Sequence, residues 1–337
     1  MDFAAGGRLE VRITAADVGK RVSVRRVVQE PGDPLKFSDT VGVLTSWDNG
    51  VLMITRRTGE AVRIEESALV AGKVVPAAPA RRRGPAASYG ELARVAARAW
   101  QPVESERLGD WELRAAAGFT RRANSVLPLG DPGRPLDAAL TAVREWYGRR
   151  GLPAYVQTAT GASTGAEGTQ EALCAELAAR GWVREVSAEQ RIAPLAPVGD
   201  LDVYVDQVRL SRSVDDAWLR RYQRFQVPGP HVLKVLGAGP SVWFASVPGE
   251  AGGPCAAIGR CVVDGRWAGF MAVEVDETVR RRGLATAVMA ALARRALAEG
   301  ASAAWLQVEA RNAGAIALYD GMGFGVHHAY HHYREPK

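Results

Sequence analysis

The sequence predicts a chain of the α/β class in which two α/β halves follow a small all-β module. Three observations support this prediction. Residues 1–75 read as short strands with alternating apolar and polar side chains, residues 89–195 and 201–337 repeat a similar order of helices and strands, and a stretch rich in Pro, Ala and Arg separates the first part from the rest. The length of 337 residues fits two or three such modules.

The all-β module is predicted at residues 1–75. Turn signals separate its alternating segments, and the strongest is the hairpin sequence Asp48, Asn49 and Gly50. Five short strands within about seventy residues are typical of a small barrel, and here they predict an SH3-like β-barrel. The stretch at 76–88 is then a linker, because Pro-rich sequence favours an extended chain without a core.

The first α/β half is predicted at residues 89–195, in the order helix, strand, strand, helix, strand, helix, strand. Before its second helix it carries the sequence GDPGRPLD, which is not a basic glycine loop. We interpret this half as a degenerate copy of the second half without a ligand site of its own. Arg121 and Arg122 lie in a polar stretch between two of its strands, where they either hold a carboxylate of a substrate or belong to an exposed hairpin.

The second half, at residues 201–337, begins with a strand predicted at 202–210 and contains the most informative segment of the chain. An apolar strand that includes Val273 and Val275 leads to the sequence RRRGLA at 280–285, which begins a long Ala/Leu-rich helix. A diphosphate at such a helix start would meet free backbone N–H groups, the positive end of the helix dipole and nearby arginines. The alternative is a solvated run of charges at the start of an ordinary helix.

A second motif follows the next strand. Asn312 precedes a short helix, Tyr319 lies within that helix, and Gly323 and Phe324 follow it. Together the two motifs resemble the Gcn5-related N-acetyltransferase (GNAT) superfamily, with its glycine loop and its N-x-x-A-x-x-L-Y-x-x-x-G-F segment. More loosely, the whole chain resembles a bacterial group with an N-terminal SH3-like domain and two tandem GNAT-like halves, labelled both N-acetylglutamate synthase and histone-like protein acetyltransferase. The resemblance implies a degenerate GNAT-like domain at 89–195 and a catalytic GNAT domain at 201–337.

The resemblance implies acetyl-CoA as the cosubstrate and gives roles to the residues that match the motifs. The main chain of Val273 and Val275 would pair with the pantetheine arm, Asn312 would hydrogen-bond the same arm, and Tyr319 would protonate the departing CoA thiolate. The diphosphate loop would consist of Arg280, Arg281, Arg282, Gly283, Leu284, Ala285 and Thr286. The alternative for Tyr319 is an aromatic side chain that only packs on the sheet.

Several residues could deprotonate the acceptor amine. Some members of the superfamily use a glutamate five residues before the asparagine, but this chain has Gln307 there, and an amide cannot act as the base. Glu274 and Glu309 are the carboxylates nearest to the two motifs, and the segment 327–332 adds four histidines, whose imidazoles have a suitable pKa. Adjacent residues of a strand face opposite sides, so we do not expect these histidines to share a metal ion.

Composition restricts the compartment and the partners. The sequence has no apolar run long enough for a membrane helix and no signal peptide, and its three cysteines fit neither a disulfide nor a zinc pattern. We therefore expect a cytoplasmic protein without a bound metal. The formal net charge is +6, and only five of the 43 basic residues are lysines. This arginine bias suits an anionic ligand such as CoA; we do not expect nucleic acid or a membrane as a partner.

Three functions are compatible with these motifs. The first is acetyl transfer to the α-amine of a small acidic substrate, glutamate being the first choice, because arginines lie near the expected groove and a degenerate half could close a pocket. The second is acetylation of protein lysines, with the SH3-like domain as the docking site for a protein partner, although the basic charge of the chain would repel a basic target. The third is a CoA-binding regulatory protein without turnover.

Overall fold

The computed structural model describes residues 10–28, 36–56, 60–75, 85–161, 168–222 and 228–336. These belong to two compact units, Met1–Arg82 and Arg83–Lys337. The boundary between the units falls inside the linker predicted at 76–88, of which residues 76–84 lie outside the described residues.

The first unit contains one antiparallel sheet. Its strands are β1 (Arg21–Val28), β2 (Lys36–Asp48), β3 (Val51–Thr55), β4 (Ala61–Glu65) and β5 (Leu69–Val74), in the spatial order β4-β3-β2-β1-β5. The hairpin predicted at Asn49 and Gly50 connects β2 to β3, and both residues have positive φ (50° and 74°), as a type I′ turn requires. Within the described residues of this unit no pairing joins β4 to β5, so the sheet is not seen to close and the SH3-like barrel stays a prediction.

The second unit mixes helices and strands. Its first half contains α1 (Tyr89–Ala99), β6 (Glu104–Leu108), β7 (Trp111–Ala115), β8 (Leu127–Pro128), α2 (Leu136–Gly148), β9 (Tyr155–Gly161), α3 (Glu171–Ala179) and β10 (Val183–Pro194). The short helix α4 (Ala196–Gly199) leads to the second half, which contains β11 (Arg209–Ser211), α5 (Asp216–Arg221), α6 (Pro230–Gly237), β12 (Ser241–Val247), β13 (Ala257–Asp264), β14 (Trp267–Val275), α7 (Leu284–Ala298), β15 (Ala303–Glu309), α8 (Ala313–Gly321) and β16 (Gly325–Arg334).

The element order of the first half agrees with the sequence prediction except for β6, which was not predicted. In the second half, the strand predicted at 202–210 does not form over that range. Only β11 is present there: Val208 and Leu210 are partly buried against the core, but Tyr204 is 67% exposed, so the alternation of the segment does not correspond to a strand buried along its whole length. None of the described helices combines the length and the apolar character that crossing a membrane requires.

Eight strands of the second unit form one sheet, in the order β11-β12-β13-β14-β15-β10-β16-β9. The last strand of each half pairs with the other half, because β10 lies between β15 and β16, and β16 pairs with β9 on its other side. The two halves predicted from the sequence therefore share one sheet through a reciprocal exchange of their final strands. The predicted boundary between 195 and 201 separates two segments of the chain, not two sheets.

Helices cover both faces of this sheet. α7 and α8 pack on one face, in a core that includes Leu292, Tyr319 and Leu306. α1, α5 and α6 pack on the other face, in a core that includes Leu92 and Trp305. Because successive residues of a strand face opposite sides, Leu306 and Trp305 mark these faces on β15. We call the side of Leu306 the α7 face and the side of Trp305 the α1 face.

Arg260 ties the sheet to the helices of the α1 face. It is fully buried on β13 and donates to the main-chain carbonyls of Ala99 (2.9 Å), Leu236 (2.7 Å) and Ala238. These carbonyls lie at the C-terminal ends of α1 and α6, where helix carbonyls lack partners within the helix. Burial lowers the pKa of Arg260 to about 9, and the bonds to the carbonyls offset the cost of burying the charge.

Candidate active site

The parallel strands β14 and β15 separate partway along their length. Their pairing ends at Phe270 and Leu306, and beyond this point the described residues show no bond between the two strands. Ala272 has φ 52° and lies at a β-bulge against β13, and a bulge bends the strand that carries it. The edge of β14 that faces β15 is therefore unpaired at Val273 and Val275, where the sequence places the partners of the pantetheine arm.

α7 begins directly after two residues with left-handed backbone. Arg281 has φ 66° and Gly283 has φ 76°; any side chain at Gly283 would be strained by this conformation, although a Cβ there would meet no protein atom within 4 Å. Gly283 occupies the N-cap position, no side chain caps the helix, and its first turn has no acidic residue. The N–H groups of Leu284, Ala285 and Thr286 thus have no acceptor within the helix and can bind an anion.

A cavity of about 970 Å³ joins the strand separation to the start of α7. Its volume lies at the upper end of the range of roughly 300–1,000 Å³ found for small-molecule sites. Ten predicted residues line it: Val273, Glu274, Val275, Arg280, Arg281, Gly283, Leu284, Ala285, Thr286 and Asn312. Five further predicted residues do not: Arg121, Arg122, Arg282, Glu309 and Tyr319. The lining also includes residues that the sequence did not indicate: Arg221, Asp276, Glu277, Gly314, Ala315, Ala317 and Leu318.

Asp276 and Arg221 hold the turn between β14 and α7. Asp276 Oδ1 accepts from the N–H (2.9 Å) and the hydroxyl (2.6 Å) of Thr278, and Oδ2 accepts from Arg221 on α5. The bonds to Thr278, together with the arginine, lower the pKa of Asp276 to about 2. Arg221 also donates to the carbonyl of Cys255 (2.6 Å), so the turn is tied to the segment before β13. Nothing in the local sequence indicated Arg221, because α5 lies far before the motif.

Asn312 and Tyr319 belong to the start and the body of α8. Asn312 Oδ1 accepts from the N–H of Ala315 (3.1 Å) and caps the helix, which leaves Nδ2 as the donor for a ligand in the cavity. Tyr319 packs in the core of the α7 face, with its ring centroid 6.0 Å from that of Phe324. Burial raises the pKa of Tyr319 to about 12, so the phenol is protonated at neutral pH and serves as a donor.

Both candidate carboxylates lie on the α1 face. Glu274 is the cross-strand partner of Ile258, which belongs to the core of that face. Glu309 lies four residues after Trp305 on β15, and alternation along the strand gives the two residues the same side. Glu274 lines the cavity beside the strand separation. Glu309 accepts from Arg311 Nε at 3.0 Å and does not line the cavity. Of the two, Glu274 is the better placed to reach an amine at the separation.

The histidines of β16 are poor candidates for the base. Burial lowers the pKa of His328 and of His332 to about 3, far below the value that suits proton transfer near neutral pH. His327 Nε2 lies 2.9 Å from the carbonyl of Ala87, which can only accept, so this nitrogen carries a proton. His327 Nδ1 lies 2.8 Å from Nδ1 of His328, and one of these two nitrogens donates to the other. Among the described residues no three His, Cys, Asp or Glu side chains are arranged to share a metal ion.

The loop between β7 and β8 directs the two predicted arginines to different partners. Arg121 is exposed and lies 3.6 Å from the carboxylate of Glu185. Arg122 is half-buried, lies over the ring of Trp100 (4.9 Å) and donates from Nη1 to Gln307 Oε1 at 2.6 Å. Gln307 is the first residue of β15 beyond the pairing with β14. The first half of the unit thereby reaches the strand separation of the second half.

In the first half, the side chain of Gln170 occupies the place that corresponds to the strand separation of the second half. β8 and β9 are joined by a parallel bridge, and beyond it Gln170 spans them, since its Nε2 donates to the carbonyl of Pro128 and its Oε1 accepts from the N–H of Ala159 (3.0 Å). The hydroxyl of Tyr89 donates to the same oxygen at 3.0 Å. The following helix, α2, has Asp137 in its first turn, where a carboxylate would repel a diphosphate. These contacts favour the interpretation that this half has no CoA of its own.

The sequence and the fold match known proteins. The sequence model of the family described as "Probable histone acetyltransferase Rv0428c C-terminal" matches residues 87–333. The probable histone acetyltransferase Rv0428c of Mycobacterium tuberculosis is 28% identical over 317 residues, which cover 92% of this chain and 93% of that protein. A GCN5-related N-acetyltransferase from Kribbella flavida superposes with a TM-score of 0.54 at 14% identity, covering 74% of this chain and 95% of that one. A tandem GNAT protein from the clavulanic acid biosynthesis pathway gives 0.51 at 14% identity, covering 76% and 90%.

Proposed function

Because this chain belongs to the family described as the C-terminal region of the probable histone acetyltransferase Rv0428c, and is an acetyltransferase with the GNAT fold, we propose that it transfers an acetyl group from acetyl-CoA directly to the amine of a small acidic acceptor. The α-amine of glutamate is the first choice. One observation carries the proposal: a single cavity joins the uncapped start of α7 to the unpaired edge of β14.

In this proposal the donor lies along the cavity. Its diphosphate binds the first N–H groups of α7, with electrostatic support from Arg280 and Arg281. Its pantetheine arm adds to the free edge of β14 as an extra strand would, and Asn312 Nδ2 donates to the same arm. The thioester then lies at the separation of β14 and β15, and we place the acceptor on the α1 face, where Glu274 lines the cavity.

The chemistry at the separation needs donors for two developing charges. Attack of the amine on the thioester carbonyl places negative charge on its oxygen, and N–H groups on the unpaired edge of β14 can stabilise that charge. The C–S bond then breaks and the thiolate leaves. A thiol has an ordinary pKa of about 8.5, so a phenol with a pKa of about 12 retains its proton in the final equilibrium. Tyr319 is not itself a lining residue, but it directly follows Leu318, which is. We therefore assign to the Tyr319 hydroxyl a hydrogen bond to the sulfur that leaves at this wall of the cavity.

The acceptor amine must lose a proton during the reaction. For a lysine-like amine with a pKa of about 10.4, the free base lies on the order of 4 kcal/mol above the ammonium form at pH 7. We assign the proton acceptor to Glu274, directly or through a water molecule, with Glu309 as the second choice, because Glu274 lines the cavity on the acceptor side. Turnover should then increase with pH until the amine itself is neutral.

The test is an assay of CoA release over a panel of amines with acetyl-CoA as donor. The panel contains L-glutamate, L-aspartate, neutral amino acids and lysine derivatives. Thiol release that depends on glutamate or aspartate, with formation of the N-acetyl product by mass spectrometry, supports the proposal. Release with neutral amines alone would leave an acetyltransferase but reject the acidic acceptor.

A second candidate acceptor is a protein lysine, because the family and the Mycobacterium tuberculosis relative are both described as probable histone acetyltransferases. The N-terminal five-stranded unit, interpreted as SH3-like, would then dock the protein substrate. The formal net charge of +6 opposes a strongly basic target at low ionic strength. Incubation with acetyl-CoA and a basic protein, followed by intact-mass measurement, separates the two candidates, since only this one predicts acetyl groups on the protein.

A further inference from the structure

Arg122 is a half-buried cation whose described contacts are neutral groups. Its guanidinium lies over the ring of Trp100 at 4.9 Å and donates to the amide oxygen of Gln307 at 2.6 Å. Within the described ranges no carboxylate lies within ion-pair distance of it, whereas its neighbour Arg121 lies 3.6 Å from Glu185. A partly desolvated guanidinium with neutral partners can bind an incoming carboxylate strongly, because the carboxylate adds a second charge and can accept two parallel N–H bonds.

The loop that carries Arg122 is held in a strained conformation. Ala117 has φ 48° and Thr120 has φ 60°, and a β-branched residue in this region is a clear outlier. Asn124 maintains the conformation: its Oδ1 accepts from the N–H groups of Ala116 and Gly118, and its Nδ2 donates to two carbonyls of the loop. Strain of this kind costs about 1–3 kcal/mol per residue and is concentrated at ligand-binding sites. Here it fixes the direction in which Arg122 leaves the loop.

Through its bond to Gln307, the charged guanidinium of Arg122 lies beside the separation of β14 and β15. Gln307 follows Leu306, the last residue of β15 that pairs with β14, and it faces the α1 side as Glu274 does. Arg122 therefore approaches the strand separation from the side opposite to α7, where an acceptor would enter. An amine attacking the thioester there would bring a carboxylate on the same small molecule within reach of Arg122.

We propose that Arg122 binds a carboxylate of the acceptor, and that Gln307 is a specificity-determining residue because its neutrality leaves the charge of Arg122 available. This inference rests on the proposed transfer to a small acidic amine. Arginine only donates, so Gln307 turns its Oε1 to Arg122 and its Nε2 to Gln190 Oε1 (2.8 Å). A glutamate at position 307 would form an ion pair with Arg122 and neutralise its charge. The side chain that acts as base in some relatives would therefore abolish acceptor recognition in this chain.

The experiment compares Arg122→Met, Arg122→Lys and Gln307→Glu with Arg98→Met as the matched control, since Arg98 lies outside the predicted site and its charge already has Asp264 as a partner at 2.7 Å. For each variant, kcat/KM is measured for L-glutamate and for its dimethyl ester, which has the same amine without carboxylates. We expect the preference for the acid to fall about 10- to 100-fold in Arg122→Met and Gln307→Glu, to recover partly in Arg122→Lys, and to stay unchanged in Arg98→Met.

Two further readouts make the result decisive. The affinity for CoA should stay within twofold of wild type in every variant, which shows that the donor site is intact. Gln307→Glu is nearly isosteric with wild type, so it tests the inference even if Arg122→Met does not fold. An acid preference that survives in Arg122→Met overturns the inference, and one that survives only in Gln307→Glu overturns the role of Gln307. Calorimetric titration of L-glutamate into the CoA-saturated protein needs no turnover: binding that Arg122→Met abolishes supports the inference, and no binding by wild type overturns it. Turnover of neutral amines alone would instead reject the proposed acceptor.

Discussion

A carboxylate placed in the first turn of α7 should separate donor binding from the stability of the fold. Ala285 lines the cavity and lies in a helix turn that has no acidic residue. We expect Ala285→Asp to stabilise the fold slightly, because an acidic side chain near a helix N-terminus contributes about 0.3–1 kcal/mol. The same charge should weaken CoA binding, since the diphosphate is proposed to lie at this turn. Damage to the fold would lower both quantities, so the opposite signs are diagnostic.

The size of the effect on CoA binding follows from Coulomb's law. Two unit charges 4 Å apart repel by about 4 kcal/mol at an effective dielectric constant of 20 and by about 1 kcal/mol in water. Arg280, Arg281 and Gly283 are exposed at the mouth of this turn, so water and salt screen the pair and the result lies between the two limits. We expect a loss of about 2 kcal/mol, or roughly 30-fold weaker binding.

The assay is isothermal titration of CoA into wild type, Ala285→Asp and Ala285→Asn, together with urea unfolding of each. Asparagine has the shape of aspartate without its charge, so it reports any steric effect. The difference between the two variants should shrink as salt is raised. Equal CoA affinity in Ala285→Asp and Ala285→Asn at low salt would refute the placement of the diphosphate at α7.

Three further predictions concern the fold and the chemistry. Arg260→Met leaves three helix carbonyls without donors, so the free energy of unfolding in urea should fall by about 2–4 kcal/mol; no change would mean that those carbonyls find other partners. Acid should also destabilise the protein: His328 and His332 have folded-state pKa values of about 3 against an ordinary 6.5, so the unfolded state binds more protons. The free energy of unfolding is unaffected by these histidines well above pH 6.5 and falls as the pH is lowered towards 3, by about 1.3 kcal/mol per histidine between pH 7 and pH 5.5. Burial also lowers the pKa of His331, which adds to the fall, and His332→Phe should remove the share of His332. Tyr319→Phe should lower kcat about 100-fold while CoA affinity stays within twofold; wild-type kcat would leave Tyr319 with a packing role alone.

The parts of the fold and the site that depend on local sequence were predictable. Periodicity predicted the helices of the first half and all of its strands except β6, and the turn signal predicted the hairpin at Asn49 and Gly50. The loop from Arg280 to Thr286 follows its strand directly, so one short segment carries most of the donor cavity. The structure adds a reason for glycine at position 283 that the motif alone did not give, because any side chain would be strained at its φ of 76°.

The parts that depend on distant contacts were not predictable from the sequence. The exchange of β10 and β16 depends on which strand edges meet in the folded sheet. The alternation of apolar and polar residues along each strand would be the same with either neighbour, so the sequence pattern does not identify the partner. Gln170 in the first half and the bond from Arg122 to Gln307 bring together residues far apart in the chain. No rule of sequence spacing connects such residues, so the sequence indicated Arg122 and Gln307 separately but not the contact between them.

Hydrogen exchange with and without CoA tests the central claim, that the donor binds between the free edge of β14 and the start of α7. The claim predicts that CoA slows exchange at the amides of 273–275 and 284–286, and leaves the corresponding amides at 127–130 and 136–138 in the first half unchanged. Protection at 136–138, or none at 284–286 under saturating CoA, would contradict it.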